Sequence, residues 1–185
     1  YLPICAIINR TNLCIHGGLS PNLDKLEQIR KEIIRPVNDC NENQILSDIV
    51  WSDPSSFIKT DFSSGPRGRG YLFNQNALGV FLKENNLKRM IRAHECIKNG
   101  ILNQFCEKCI TVFSASSYNR ENNNSGILKL FEKDDRIEYL SFPPIARLEK
   151  NDAVYFKVQA FNSIFLKNHL CFSFRHTIKF NYQNW

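Results

Sequence analysis

The rhythm of apolar positions changes along the chain, and the changes mark its elements. Residues 4–9 and 13–16 are short apolar or β-branched runs on either side of Asn9-Arg10-Thr11-Asn12, which predicts two strands around a tight turn. Over 23–34 the apolar residues fall at Leu23, Leu26, Ile29, Ile33 and Ile34, the spacing of one helix face, with Ser20-Pro21 ahead and Pro36 behind. A second short helix is expected over 45–51. Ser52-Asp53-Pro54 then opens a stretch rich in Ser, Gly and Pro that runs to Gly70 and reads as one long loop. A loop of that length within a domain usually carries function.

Helical spacing returns over 76–85, with Ala77, Leu78, Val80, Phe81 and Leu82. A strand is expected over 89–93, ending at His94, and further strands over 101–105, 110–115, 126–131 and 137–142. The expected class is therefore α/β (α+β) with a β-rich C-terminal half. Beyond Leu148 the pattern decays, and 161–185 mixes aromatics, Asn and Lys without a period. Residues 1–148 form the expected domain and 149–185 a C-terminal tail of no assigned role.

Composition narrows this picture. A chain of 185 residues with 43% hydrophobic content can bury one core but not two ordinary domains. The net charge of +6 comes from scattered residues and builds no basic stripe, so a nucleic-acid partner is not expected. No apolar run approaches the ~20 residues of a membrane span, and no membrane association is expected. Seven cysteines, mostly inside apolar runs, read as reduced thiols and point to the cytoplasm and/or nucleus. The chain starts at Tyr1 and runs straight into apolar residues, which reads as an interior cut.

Two histidines share a setting. His16, in Cys14-Ile15-His16-Gly17-Gly18, and His94, in Ile91-Arg92-Ala93-His94-Glu95, each follow an apolar strand. Ligands gather at the carboxyl ends of strands, and neutral imidazole is a common metal ligand; the plain alternative for each is a structural histidine. Arg67 lies in Gly65-Pro66-Arg67-Gly68-Arg69-Gly70, where its planar fork could approach a phosphate closely, or simply belong to a solvated loop. Tyr118 follows a strand and could hydrogen-bond a bound oxygen, or pack as an ordinary aromatic. Cys106-Glu107-Lys108-Cys109 is a lone CxxC without the second pair that structural zinc normally needs.

Six runs in order carry a resemblance: Leu2-Pro3-Ile4, His16-Gly17-Gly18-Leu19-Ser20-Pro21, Trp51-Ser52-Asp53-Pro54, Pro66-Arg67-Gly68-Arg69-Gly70-Tyr71-Leu72-Phe73, Arg92-Ala93-His94-Glu95 and Thr111-Val112-Phe113-Ser114-Ala115. Together they resemble the phosphoprotein phosphatase (PPP) family of metal-dependent serine/threonine phosphatases, over roughly 2–142. The resemblance implies a calcineurin-like β-sandwich flanked by helices, of which 1–148 is the C-terminal part. It implies two divalent metal ions (manganese, iron or zinc), phosphoprotein substrates and regulatory subunits. By the same resemblance His16 and His94 ligate the second metal, Arg67 binds substrate phosphate, and Tyr118 lines the catalytic site.

The departures also matter. The family's GDxHG, GDxVDRG and GNHE motifs, which supply the first-metal ligands, the bridging aspartate and the histidine acid, are absent from this chain. Asp48 and Asp53 fall in a segment that resembles a structural part of the family and are not expected to replace them. The chain alone is therefore expected to be inactive and to expose apolar edges. A truncated, non-catalytic pseudophosphatase or binding fragment is the rival reading.

Overall fold

Apolar strands that lie in the middle of a sheet must be covered on both faces, and burial separates the middle of this sheet from its edges. The structure is a computed structural model that describes residues 2–144. Strands β1 (Cys5–Ile8) and β2 (Asn12–Ile15) form a hairpin joined by the three residues 9–11, of which Asn9 and Arg10 have φ of 50° and 63°, in the left-handed region that tight hairpin turns use. β2 then pairs in parallel with β6 (Arg89–Arg92), β6 in parallel with β8 (Cys109–Val112), and β8 antiparallel with β7 (Ile101–Gln104). The order is β1-β2-β6-β8-β7. Leu13, Met90 and Ile110 on the three central strands are fully buried, while Ile7 and Ile8 on the edge strand β1 stay exposed.

Three helices supply the cover. α1 (Leu26–Glu32), α2 (Gln44–Trp51) and α3 (Gln75–Glu84) bury Ile29, Ile45, Leu46, Ile49, Ala77, Leu78, Phe81 and Leu82 in one core with Leu13, Ile15, Phe73, Met90 and Cys109. Asparagine caps two of them: Asn43 Oδ1 accepts from Leu46 N at 3.0 Å and Asn74 Oδ1 from Ala77 N at 2.9 Å. α1 is shorter than its apolar spacing predicts. Leu23 and Ile33 are buried but lie outside it: Gln28 Oε1 takes the amides of Asp24 and Lys25, both at 2.8 Å, and fixes the helix start there, and Ile33 is its extended C-cap.

The long loop expected after Trp51 is partly ordered as sheet. β3 (Asp53–Pro54), β4 (Phe62–Ser64) and β5 (Tyr71–Phe73) pair in the order β3-β5-β4. Strands of two or three residues are too short to display a period, so hydrophobic alternation could not reveal them. β9 (Ser125–Leu130) and β10 (Ile137–Phe142) form a separate hairpin. In the CxxC segment, Cys106 is exposed in the β7–β8 turn, whereas Cys109 is a core residue of β8 whose thiol burial pushes up to about 12. The expected tail 149–185 lies outside the described residues. Among those described, no helix is long and apolar enough to cross a membrane.

Candidate metal and phosphate site

Parallel pairing brings the two histidines together. Leu13 stands beside Met90 and Cys14 beside Ile91, so β2 and β6 end at the same edge of the sheet. His16 follows β2 directly and His94 follows β6 by one residue, and Ala93 N donates to His16 O at 2.9 Å. His16 Nε2 and His94 Nδ1 lie 3.2 Å apart. His94 holds φ of 59°, a left-handed conformation that costs an L-residue roughly 1–2 kcal/mol and persists where surroundings enforce it.

Glycines let the neighbouring helix come close. Gly17 N and Gly18 N donate to Ile49 O near the end of α2, at 2.9 and 3.0 Å. A Cβ on Gly17 would sit 2.5 Å from Val50 O, and one on Gly18 would sit 2.3 Å from the Phe73 ring. Trp51, at the end of α2, packs edge-on against His94 with ring centres 5.4 Å apart, and the Arg69 guanidinium lies 4.6 Å from the Trp51 ring centre.

A fully buried guanidinium ties these segments to each other. Arg92 donates from Nε to Gly17 O at 2.6 Å, from Nη2 to Ser52 O at 3.2 Å and to Asp53 Oδ1 at 2.6 Å, and from Nη1 to Glu95 Oε2 at 2.6 Å. Asp53 also accepts from Arg67 Nε at 3.0 Å through its other oxygen. Arg67 is thus fixed by one nitrogen while Nη1 and Nη2 have no partner among the described residues. Asp48 plays a different part. Fully buried, it accepts from Ser20 Oγ at 2.6 Å and Gln44 Nε2 at 2.8 Å and braces the turn after Gly18.

Burial and cationic neighbours favour neutral imidazoles. Burial is the main cause holding His94 down to about 4; Asp53 opposes it, and the charges of Arg67 and Arg92 reinforce it. His16 is also lowered, by burial and then by Arg92. Burial raises Glu95 despite its bond to Arg92.

The donor set fits half of a metal centre. Two nitrogens each 2.0–2.1 Å from one tetrahedral ion lie about 3.3 Å apart, close to the 3.2 Å found here. If Nδ1 of His94 offers its lone pair, the proton resides on Nε2. That atom is buried without a hydrogen-bond partner among the described residues, 3.9 Å from Asp53 Oδ1. A carboxylate behind the far nitrogen of a ligating histidine is the usual outer support. Among the described residues no cluster of three or more His, Cys, Asp or Glu is arranged to hold an ion.

Of the four expected site residues, the structure joins three: His16 to His94 directly, and Arg67 to their neighbourhood through Asp53. Tyr118, 46% exposed, packs against Phe113 with ring centres 5.1 Å apart, and no hydrogen bond or ring contact links it to the other three. Asp53 and Arg92 were not among the expected site residues. The available signal was an arginine two positions before the histidine at the end of a strand expected in the core, since a buried charge demands a partner.

The two imidazoles thus meet at the carboxyl ends of parallel strands, and Arg67, in the loop between β4 and β5, is tied to their neighbourhood through Asp53. The chain belongs to the calcineurin-like phosphoesterase family, whose model matches residues 1–98. Its relatives place it among the phosphoprotein phosphatases. It is 38% identical over 135 residues to the serine/threonine-protein phosphatase PP2A-like PPG1 of Candida albicans, covering 72% of this chain and 32% of that protein. It is 35% identical over 145 residues to the protein of the same name from Saccharomyces cerevisiae, covering 72% of this chain and 39% of that one. The chain thus spans about a third of the length of these relatives. A solved Saccharomyces cerevisiae serine/threonine phosphatase with similarity to human PP5 shares the fold, with a TM-score of 0.68 and 24% identity over 80% of this chain and 49% of that one. Family membership implies divalent metal ions.

Proposed function

We propose that this chain forms the C-terminal part of the catalytic domain of a metal-dependent phosphatase that hydrolyses phosphoserine and phosphothreonine in proteins. The observation that carries this reading is the 3.2 Å approach of two neutral imidazoles beside an arginine anchored by one nitrogen only. His16 Nε2 and His94 Nδ1 would hold one divalent ion, manganese, iron or zinc. Such ions, when bound, supply Lewis-acid activation of water and neutralise charge on the phosphoryl group. Asp53 orients Arg67, whose two partnerless Nη nitrogens offer a fork for phosphoryl oxygens. Tyr118 is assigned to the rim of the site, where its hydroxyl can meet a substrate oxygen.

Two imidazoles do not fix a two-metal centre, so the remaining ligands must come from outside the described residues. The 185-residue chain alone should give no manganese-dependent hydrolysis of a phosphopeptide. Regulatory subunits fit the same assignment, and the six free cysteines among the described residues support a cytoplasmic or nuclear setting.

The experiment is Arg67→Ala in a longer protein built by joining this chain to a segment that carries the family's other motifs. It should slow phosphopeptide turnover by about 100- to 1000-fold, the loss seen on removing one anion-stabilising donor, with metal content unchanged. His94→Ala should lose metal and activity together. Normal turnover in Arg67→Ala would sink the phosphate assignment.

A further inference from the structure

The opposite end of the sheet carries a second recognition surface. β8 starts where β6 starts, with Cys109 beside Met90, so the β7–β8 turn lies at the far end of the sheet from His94. Between that turn, the outer face of α3 and residues 55–58 lies a cavity of about 640 Å³. Its apolar surface comes from Ile58, Val80 and Phe105, and Lys83 and Lys108 stand over it. Among the described residues neither ammonium has an ion-pair or hydrogen-bond partner. The carboxylate of Asp61, across the 74–76 turn, is already taken by Asn76 Nδ2 at 2.9 and 3.1 Å.

α3 is built for two faces. Ala77, Leu78, Phe81 and Leu82 point into the core, while Gly79, Val80 and Lys83 line the cavity. A Cβ on Gly79 would meet only Lys108 Nζ, at 4.0 Å, so the lysine ammonium lies against the helix at its glycine. Glycine is a poor helix former, and here its missing side chain deepens the groove.

We propose that this groove docks an acidic peptide segment of a partner protein, with an apolar side chain set between its carboxylates. Two partnerless cations on one rim call for a ligand with at least two negative charges, and the volume exceeds what a simple anion fills. The lining favours peptide over nucleic acid. Phe105, the one aromatic residue of the lining, is 8% exposed and Ile58 and Val80 are aliphatic, so the floor itself offers no open ring for a base; the exposed ring of Phe57, in the bounding segment, is not among the lining residues. The groove lies away from His16, His94 and Arg67, so a docked segment leaves their site free.

The test is fluorescence anisotropy of a labelled peptide, Asp and Glu around one Leu, titrated with the 185-residue chain. Binding should weaken with added salt and fall about tenfold in Lys83→Glu or Lys108→Glu, because like charges then face the peptide. Lys98→Glu, the same charge change beyond β6 at the other end, should leave it unaltered. Lys83→Gln and Lys108→Gln, which remove charge without adding repulsion, should show a smaller loss, and circular dichroism of each variant verifies the fold. No binding by the parent chain, undiminished binding in both reversals, or an equal loss in Lys98→Glu would overturn the proposal. Tighter binding of a single-stranded oligonucleotide of matched charge would also overturn it.

Discussion

The two ends of the central sheet solve opposite problems with the same residue classes. At the His16–His94 end, the cationic side chains are tied down: Arg92, fully buried, uses all three of its nitrogens, and Asp53 accepts from two arginines. At the β7–β8 end, Lys83 and Lys108 make no ion pair or hydrogen bond among the described residues, although, behind the hydrogen bond and charge of Lys25, the charge of Lys83 helps hold the neighbouring Glu84 carboxyl down, and the surface between them is open. One end is preorganised, with Arg67 held by Asp53. The other leaves its charges to be paired by whatever binds. Burial alone does not separate the two ends, since Arg89 is buried and paired with Asp135 at the start of β6 and Arg67 is 41% exposed; what separates them is whether the cation on the surface is already held.

The largest break in this comparison should come from Arg92. Arg92→Met leaves Asp53 and Glu95 without their buried partner and releases the carbonyls of Gly17 and Ser52. A loss of about 3–5 kcal/mol is expected, the cost of breaking one side of a buried pair. Lys108→Met at the other end should stay within about 0.5 kcal/mol of the parent. Urea unfolding of the two variants measures the contrast, and equal losses would erase it.

How far the sequence foretold this arrangement depends on the length of each signal. His16 and His94 were visible because each follows a strand that the apolar positions reveal, but the parallel pairing that joins them was not, because three helices and a separate three-stranded sheet lie between the two strands in sequence. Arg67 was visible through its glycines. Asp53 was hidden because it sits in a two-residue strand, and its partners lie 14 and 39 positions away. Arg92 was hidden because an arginine at the end of a four-residue strand that also begins with one reads as a solvated end, until the structure shows its guanidinium buried with four acceptors. Tyr118 was placed after a strand correctly, but the turn that aims it is built from Ser117, Asn119 and Arg120 at φ of 53°, 47° and 68°, and such a turn leaves no periodic trace.

A smaller break is expected from Gly17→Ala. The added methyl would press on the Val50 and Ile49 carbonyls at 2.5 and 2.7 Å, which belong to backbone and yield little. Overpacking of this kind costs about 1–3 kcal/mol. It should also push α2 from the histidines, so manganese bound by the longer protein should fall along with stability, as metal analysis of the purified variant would reveal. Retained metal with lost stability would separate the glycine's packing role from the site.

The two CxxC sulfurs sharpen the comparison within one turn. Iodoacetamide should label exposed Cys106 in the folded chain and leave Cys109 untouched until unfolding. Burial raises the Cys109 thiol from 9.0 to about 12, so above pH 9 the unfolded chain releases that proton first. The native state then holds the extra proton, and stability should decline as pH rises from 9 towards about 12. Cys109→Ser would leave a hydroxyl in the same place with no such ionisation. A parent and variant with identical alkaline profiles would contradict the assignment.

The smallest expected effect is a gain. Gly79 occupies the interior of α3, and a methyl placed there meets nothing nearer than Lys108 Nζ at 4.0 Å. Its φ is not in the left-handed region, so alanine fits the backbone without strain. Alanine also narrows the unfolded ensemble, and Gly79→Ala should stabilise the chain by about 0.4–1 kcal/mol in urea unfolding. The same methyl fills part of the groove floor under the Lys108 ammonium, so acidic-peptide binding should weaken by a few-fold as stability rises. Opposite movement of the two readouts would mean that the glycine is kept for docking at the expense of the helix. If both rose together, the groove would need no open floor, and the contrast between a rigid site and a docking surface would rest on the lysines alone.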